Sequence, residues 1–226
     1  MLSISATDEW RTALPGAIIG LLELSGVDNS HPSPKLDEQK RETEAHLRER
    51  YQGFARADFL SLPVMAAYQK YYKRFTKTYH VLLQLESIVL KGKSLPDVSP
   101  LVDANFTAEV DTLILTAGHD VAKLVAPIVM DVSRAGDQIM RMNGEPKLME
   151  AGDMVMRDVT GVVCSIIYGQ DNVSPITAST THVLYVAYAP VGVPAETVEN
   201  HLRMIEENVR LFCPDARVEQ HQLLIA

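Results

Sequence analysis

Cysteine is nearly absent from this sequence, with Cys164 and Cys213 the only two. Two thiols leave no room for a disulfide framework or a four-thiolate metal centre, and they fit a reducing compartment. Long apolar runs are missing as well. Stretches such as Val81 to Leu85 and Val162 to Tyr168 fall far short of the roughly 20 residues that a bilayer-spanning helix needs, so no membrane association is expected. The opening residues MLSISATDEW carry neither the basic nor the apolar region of a secretory signal, and a cytoplasmic location is expected. There is no P-loop, no GxSxG elbow, no HExxH and no CxxC pair, and the seven histidines do not fall at ligand spacing. Neither a metal nor another cofactor is expected. Cys164 lies in the apolar, strand-like stretch VVCSII, where a thiol is a small buried hydrophobe rather than a nucleophile.

Positive charge is scarce overall, and a formal net charge of −8 opposes sequence-blind binding to nucleic acid. Its distribution is uneven. Between Phe59 and Lys93 six cations, Lys70, Lys73, Arg74, Lys77, Lys91 and Lys93, face Glu86 alone, a local +5 that leaves −13 on the remaining chain. Four of them fall in AYQKYYKRFTKTYH, interleaved with four tyrosines. Such a cluster is either the wet face of a helix or a place to hold a polyanion.

What is present is ordinary for a globular protein: 226 residues, 46% hydrophobic and 22% charged, enough for one compact unit. The segment PSPKLDEQKRETEAHLRERYQGF runs through good helix formers with charge on most faces, which predicts a solvated helix. After Pro63, Met65, Tyr68, Tyr72 and Phe75 recur at helical spacing, with Lys70, Lys73, Arg74 and Lys77 opposite them. A second helix is expected from about His80 to Lys91, closing at Gly92. Between Val98 and Tyr188 short apolar runs separated by turn residues read as strands, among them PIVMDV, GDMVMRDVTGVVCSIIYG and HVLYVAYAP. The Asn143–Gly144 pair predicts a hairpin joining Gln138–Met142 to Lys147–Met149. In PAETVENHLRMIEENVRLF, Val198, Leu202, Ile205, Val209 and Phe212 share one face of a last helix that should cap the sheet. The expected fold is α+β: a layered, β-rich core over residues 95–190, a helical flank over 1–94, and a helix and tail over 191–226.

The order LPDVSPLVDAN, GHD, DVSRAGDQIMRMNGEPKLMEAGDMVMRD, CSIIYGQDNVSPITASTTHVLYVAYAP resembles the B3/B4 domain of the phenylalanyl-tRNA synthetase beta chain and its freestanding relatives. The residues that carry the resemblance are Asp103 and Asn105, Gly118, Arg134 with Gly136 and Asp137, Gly152 with Asp153 and Asp158, then Ser174 and Thr180. The match covers about residues 95–190 and leaves the flanking helices outside. It implies the layered α+β fold of that domain. It also implies a candidate activity, since in the synthetase the domain hydrolyses tyrosine wrongly esterified to the phenylalanine tRNA. Val186 stands where the synthetase has the glutamate that recognises the tyrosine hydroxyl, and Ala122 where it has a pocket histidine, so the identity of the amino acid is not carried over.

The site expectations follow from polar residues at strand edges and turns. His119, Asp120 and Asp171 are the candidate catalytic groups, with His119 beside Asp120 either a water-orienting pair or the closure of a loop. Asp103, Asn105, Glu109, Arg134, Tyr168, Gln170 and Thr180 are the candidate substrate-binding groups. Asp103 and Asn105 can equally cap a turn, and Arg134 can equally form a surface ion pair. Asn105, His119, Asp120, Arg134, Tyr168 and Asp171 are expected to converge on one concave site. Lys70, Lys73, Arg74 and Lys77 are the candidate RNA contacts. Two functions are compatible with this pattern. One is a trans-acting, metal-independent hydrolase of misacylated aminoacyl-tRNA. The other is a non-catalytic module that binds RNA, a free amino acid or another small molecule.

Overall fold

The computed structural model describes residues 2–226. In chain order the elements are β1 (Ile4–Ala6), α1 (Asp8–Ala13), β2 (Ile18–Ser25), α2 (Pro34–Arg50), α3 (Arg56–Ser61), α4 (Pro63–Lys73), α5 (His80–Val89), α6 (Pro100–Thr112), β3 (Thr116–Asp120), β4 (Ile128–Val132), β5 (Gln138–Met140), β6 (Pro146–Leu148), β7 (Met154–Asp158), β8 (Gly161–Ser165), β9 (Gly169–Gln170), β10 (His182–Ala189), α7 (Ala195–Arg210) and β11 (Arg217–Ile225). Three sheets result. An antiparallel four-stranded sheet runs β11-β2-β10-β3. A five-stranded sheet runs β1-β4-β7-β8-β9, with β1 parallel to β4 and the other pairs antiparallel. The third is the β5-β6 hairpin predicted across Asn143–Gly144.

The strands β2 (IIGLLELS) and β10 (HVLYVAYA) are buried along nearly their whole length and, Glu23 apart, apolar through their middles, because both of their faces are covered. Helix α7 lies on β2, and the approach is close: a Cβ on Gly20 would stand 2.8 Å from Val198 Cγ1. Residues from both large sheets and from the helices join one hydrophobic core. A small second cluster of Ile139, Met149, Val155 and Val162 sits under the hairpin. Among the described residues no helix is long and apolar enough to cross a membrane.

The α+β class and the helices read from periodicity are found, including α4, α5 with Gly92 at φ +63°, and α7. Four expectations are corrected. The first 94 residues are not purely helical, since β1 and β2 enter the two large sheets and β2 is a central strand. The tail after α7, expected without an element of its own, holds a strand, β11. Helix α2 is not solvated all round: Leu36, Lys40, Thr43, Glu44 and Leu47 are buried, because Lys40 and Glu44 find polar partners inside. Finally PLVDANFTAEVDT is a helix, α6, rather than strand or turn. Polar and apolar residues are buried together on α6, so its sequence has no amphipathic stripe to betray it.

Candidate functional site

The tyrosine-and-cation segment divides cleanly between core and solvent. Tyr68, Tyr71, Tyr72 and Tyr79 are buried, and each hydroxyl has a fixed partner: Tyr188 O, Asp153 Oδ1, Ile166 O and Leu113 O, at 2.7, 2.8, 2.7 and 2.9 Å. The rings of Tyr68 and Tyr79 stack with centroids 4.1 Å apart. Lys70, Lys73, Arg74 and Lys77 are all exposed.

A cavity of about 530 Å³ opens between α6, the edge strand β3, the turn from Cys164 to Gln170 and the Pro175–Ile176 segment. Its wall is mostly apolar, with Val102, Phe106, Ile166, Ile167 and Ile176 prominent. Gly118 is needed there for space, because a Cβ would lie 2.6 Å from Ile176 Cδ1 and 3.3 Å from the Tyr185 ring. Three of the expected binding residues reach this cavity: Asn105 from α6, and Tyr168 and Gln170 from the turn and β9. Asn105 donates its Nδ2 to Thr116 O at 3.1 Å, while its buried Oδ1 has no partner among the described residues. Gln170 Nε2 donates to Gly118 O at 2.8 Å and to Ser174 O at 3.0 Å. Cys164 also lines the cavity, but burial pushes its thiol up to about 12, so no thiolate is available as a nucleophile.

Behind this wall runs a chain of buried polar groups. Ser174 Oγ donates to Asp171 Oδ1 at 2.7 Å, so it accepts from His119 Nδ1 at 2.8 Å. The imidazole proton therefore sits on Nδ1, and Nε2 keeps its lone pair with no partner among the described residues. Burial depresses the His119 pKa to about 3, which keeps the ring neutral. Gln170 Nε2 lies 3.1 Å from His119 Nδ1 with a donor on each side, so the chain meets the cavity residue through Ser174, whose main-chain oxygen accepts from Gln170 Nε2 at 3.0 Å. His119 and Asp171 thus stand one residue back from the cavity rather than on it.

The remaining expected residues are placed elsewhere. Asp120 does not pair with His119, because neighbouring strand residues point to opposite faces. It accepts instead from Thr180 Oγ1 at 2.9 Å and from Ala122 N at 3.0 Å, which closes the loop after β3. Asp103 takes Lys40 Nζ at 2.8 Å in an ion pair inside the fold. Glu109 is buried, accepts from Thr116 N at 3.0 Å, and is pushed up to about 8 by burial. Arg134 lies beyond β4, where it pairs with Asp131 at 2.7 Å and with Glu9. Of the six residues expected to converge, Asn105 and Tyr168 line the cavity, His119 and Asp171 stand behind its wall beside Ser174, and Asp120 and Arg134 do not line it. Thr116, Ser165, Ile176 and Tyr188 line the cavity without having been expected, and their apolar or strand setting carried no chemical signal.

One cluster of metal-ligating type occurs among the described residues, Asp37, Asp97 and Asp103. It already surrounds a cation: Lys40 Nζ lies 2.6 Å from Asp97 and 2.8 Å from Asp103. Burial works against that ammonium, but its hydrogen bonds to the two carboxylates raise its pKa above the ordinary lysine value.

Fold and site together define an α+β protein with one large core, a small cluster under its hairpin, and a largely apolar cavity at the edge of its four-stranded sheet. A model of the B3/4 domain matches residues 65–205, more than half of the chain, and the chain belongs to that family. The match reaches beyond residues 95–190 at both ends, to include α4, α5 and most of α7. Among solved structures, an N-terminal fragment of the phenylalanyl-tRNA synthetase beta-subunit from Pyrococcus horikoshii is similar with a TM-score of 0.48 and 8% identity. The likeness covers 93% of this chain and 49% of that one, so this chain spans about half the length of the fragment. No curated protein matches it.

Proposed function

We propose that this chain acts in trans on charged tRNA: the aminoacyl end enters the cavity beside β3, and water cleaves its ester. The observation that carries this reading is the character of the cavity, apolar over most of its wall and yet presenting the unpartnered Asn105 Oδ1. An apolar wall suits an amino-acid side chain, and a lone buried acceptor suits a ligand donor such as the amino group. Ester hydrolysis in such a place needs a positioned water and a polarised carbonyl, and no covalent nucleophile. Gln170 is the residue assigned to the water, because its amide nitrogen is spent on Gly118 and Ser174 and its oxygen is the group it can offer. Ser174, fixed by Asp171 and His119, holds Gln170 from behind by accepting from its Nε2 through the main-chain oxygen. Lys70, Lys73, Arg74 and Lys77 are assigned to the phosphates of the tRNA. The resemblance to the synthetase editing domain points the same way.

A second reading, a non-catalytic module for an amino acid or aminoacyl group, is favoured by the withdrawal of His119, Asp120 and Asp171 from the cavity surface. A deacylation assay over a panel of misacylated tRNAs separates the two. Release of one class of amino acid is expected, reduced about 10²-fold or more in Gln170→Ala as for loss of a group acting on the reacting water. Binding without release from any member of the panel would establish the module and overturn the hydrolase.

A further inference from the structure

The four cations expected to act as one surface are shared between two hollows. Lys73 and Lys77 border a small hollow beside Arg56 and Thr78, whereas Lys70 and Arg74 border a separate cavity of about 210 Å³. The second cavity is walled by Leu14 and Pro15 after α1, Ala67 and Tyr71 of α4, and Pro190 and Val191 after β10. All six of these side chains are apolar or aromatic. Only Lys70 and Arg74 bring charge to it, both positive, four residues apart, with Lys70 on α4 and Arg74 capping its end.

Several features set this pair apart from a merely solvated charge run. Arg74 is held in place: its guanidinium lies 5.1 Å from the centroid of Tyr71 and 5.3 Å from that of Phe75, and Nη2 donates to Gly152 O at 3.1 Å. That leaves Nε and Nη1 for another partner. Neither Lys70 nor Arg74 has an ion pair among the described residues. Like charges four apart on a helix repel, and the helix dipole explains cations near the C-terminus of α4 but not their position on the rim of an apolar cavity. A bound anion would relieve the repulsion and an apolar body would fill the cavity.

We propose that this cavity binds a small organic anion, an aromatic ring or short branched chain bearing one carboxylate, with the carboxylate on Lys70 and Arg74. A void of about 150 Å³ suffices to hold benzene in a protein interior, so the size fits a single ring. Two cations along one edge match the two oxygens of a carboxylate, and a fixed guanidinium is suited to take them in parallel.

The test is titration of the folded chain with phenylacetate, followed by amide ¹H–¹⁵N correlation spectra. Shifts are expected at Gly16, Ala67, Val191 and Gly192. Phenylacetamide, which keeps the body and loses the charge, should bind at least roughly tenfold more weakly, as for loss of a charge-assisted contact. Lys70→Gln, an exposed substitution that leaves the fold alone, should weaken phenylacetate by a similar factor without changing phenylacetamide, and Lys70→Gln with Arg74→Gln should weaken it further. Equal binding of the charged and neutral compounds would overturn the proposal. So would shifts produced by adenosine monophosphate or inorganic phosphate but not by millimolar phenylacetate, which would make the site a phosphate contact. None of these readouts depends on deacylation, so the fate of the main cavity is decided separately.

Discussion

Asn105 and Glu109 stand one turn apart on α6, and their surroundings give them different tasks. Asn105 reaches the main cavity, whereas Glu109 is sealed beneath it with Thr116 N as its hydrogen-bond donor. Burial raises the Glu109 pKa from an ordinary 4.5 to about 8. The folded protein therefore keeps a proton that the unfolded chain releases between those two values. The sign follows: this group's contribution to stability is fully present below pH 4.5 and is lost as pH rises to about 8. Glu109→Gln keeps the acceptor for Thr116 N and removes the titration. The variant should be more stable than the wild type above pH 8, and its stability should vary less across the window, as read from denaturant midpoints at both ends. Parallel pH profiles for the two proteins would mean that Glu109 is ionised in the fold.

At the scale of elements, α4 is tied to the wall of the cavity through one tyrosine. Tyr71 donates to Asp153 Oδ1 at 2.8 Å and accepts from Met154 N at 2.6 Å. Asp153, pushed up to about 6 by burial, in turn accepts from the Ser165 hydroxyl and from Ile167 N at 3.2 Å. Ser165 Oγ then accepts from Tyr168 N at 2.9 Å, which completes the turn that lines the cavity. Tyr71→Phe keeps the ring and deletes the hydroxyl, leaving Met154 N and Asp153 each one partner short. A loss of about 1–3 kcal/mol is expected from denaturation. Amide exchange at Ile167 and Tyr168 should speed up more than exchange in β2 or β10. Uniform exchange across all of these positions would show that the turn does not depend on α4.

Across the whole molecule, charge is separated along the chain, and Lys70, Lys73, Arg74 and Lys77 are exposed within one segment. The tyrosines that alternate with the cations are spent on the core, so Lys70 and Lys73 on α4, and Arg74 and Lys77 in the turn after it, are presented by an anchored segment. If tRNA phosphates meet Lys70, Lys73, Arg74 and Lys77, affinity should fall steeply with salt. Alanine at all four positions should flatten the log–log slope by roughly one unit per cation removed. Titration of tRNA at two salt concentrations measures this, and an unchanged slope would reduce the cluster to a solvated face. Comparison of Lys73→Ala with Lys77→Ala against the Lys70 and Arg74 pair shows which of the two hollows the RNA meets.

Local patterns were sufficient for much of this architecture. The 3.6-residue periodicity of α4, α5 and α7 and the Asn143–Gly144 turn specify those elements by sterics and by the need to bury one face, and neither depends on distant residues. Charge segregation and the inertness of Cys164 were legible for the same reason. Asn105, Tyr168 and Gln170 are three of the candidate site residues that the sequence offers, and they line one cavity, whereas Asp120 and Arg134 do not. Tertiary structure alone decided the rest. Asp103 and Lys40 are 63 positions apart, and their pairing makes a buried part of a helix whose sequence reads as fully solvated. Thr180 claims Asp120 across 60 positions, which removes Asp120 from His119, its neighbour in sequence. Central strand β2 shows no alternation because both its faces are covered by elements far along the chain, and α6 shows no stripe because its polar residues are satisfied from elsewhere. A polar side chain's role depends on which distant group meets its hydrogen-bonding capacity, and only the folded chain brings that group within reach.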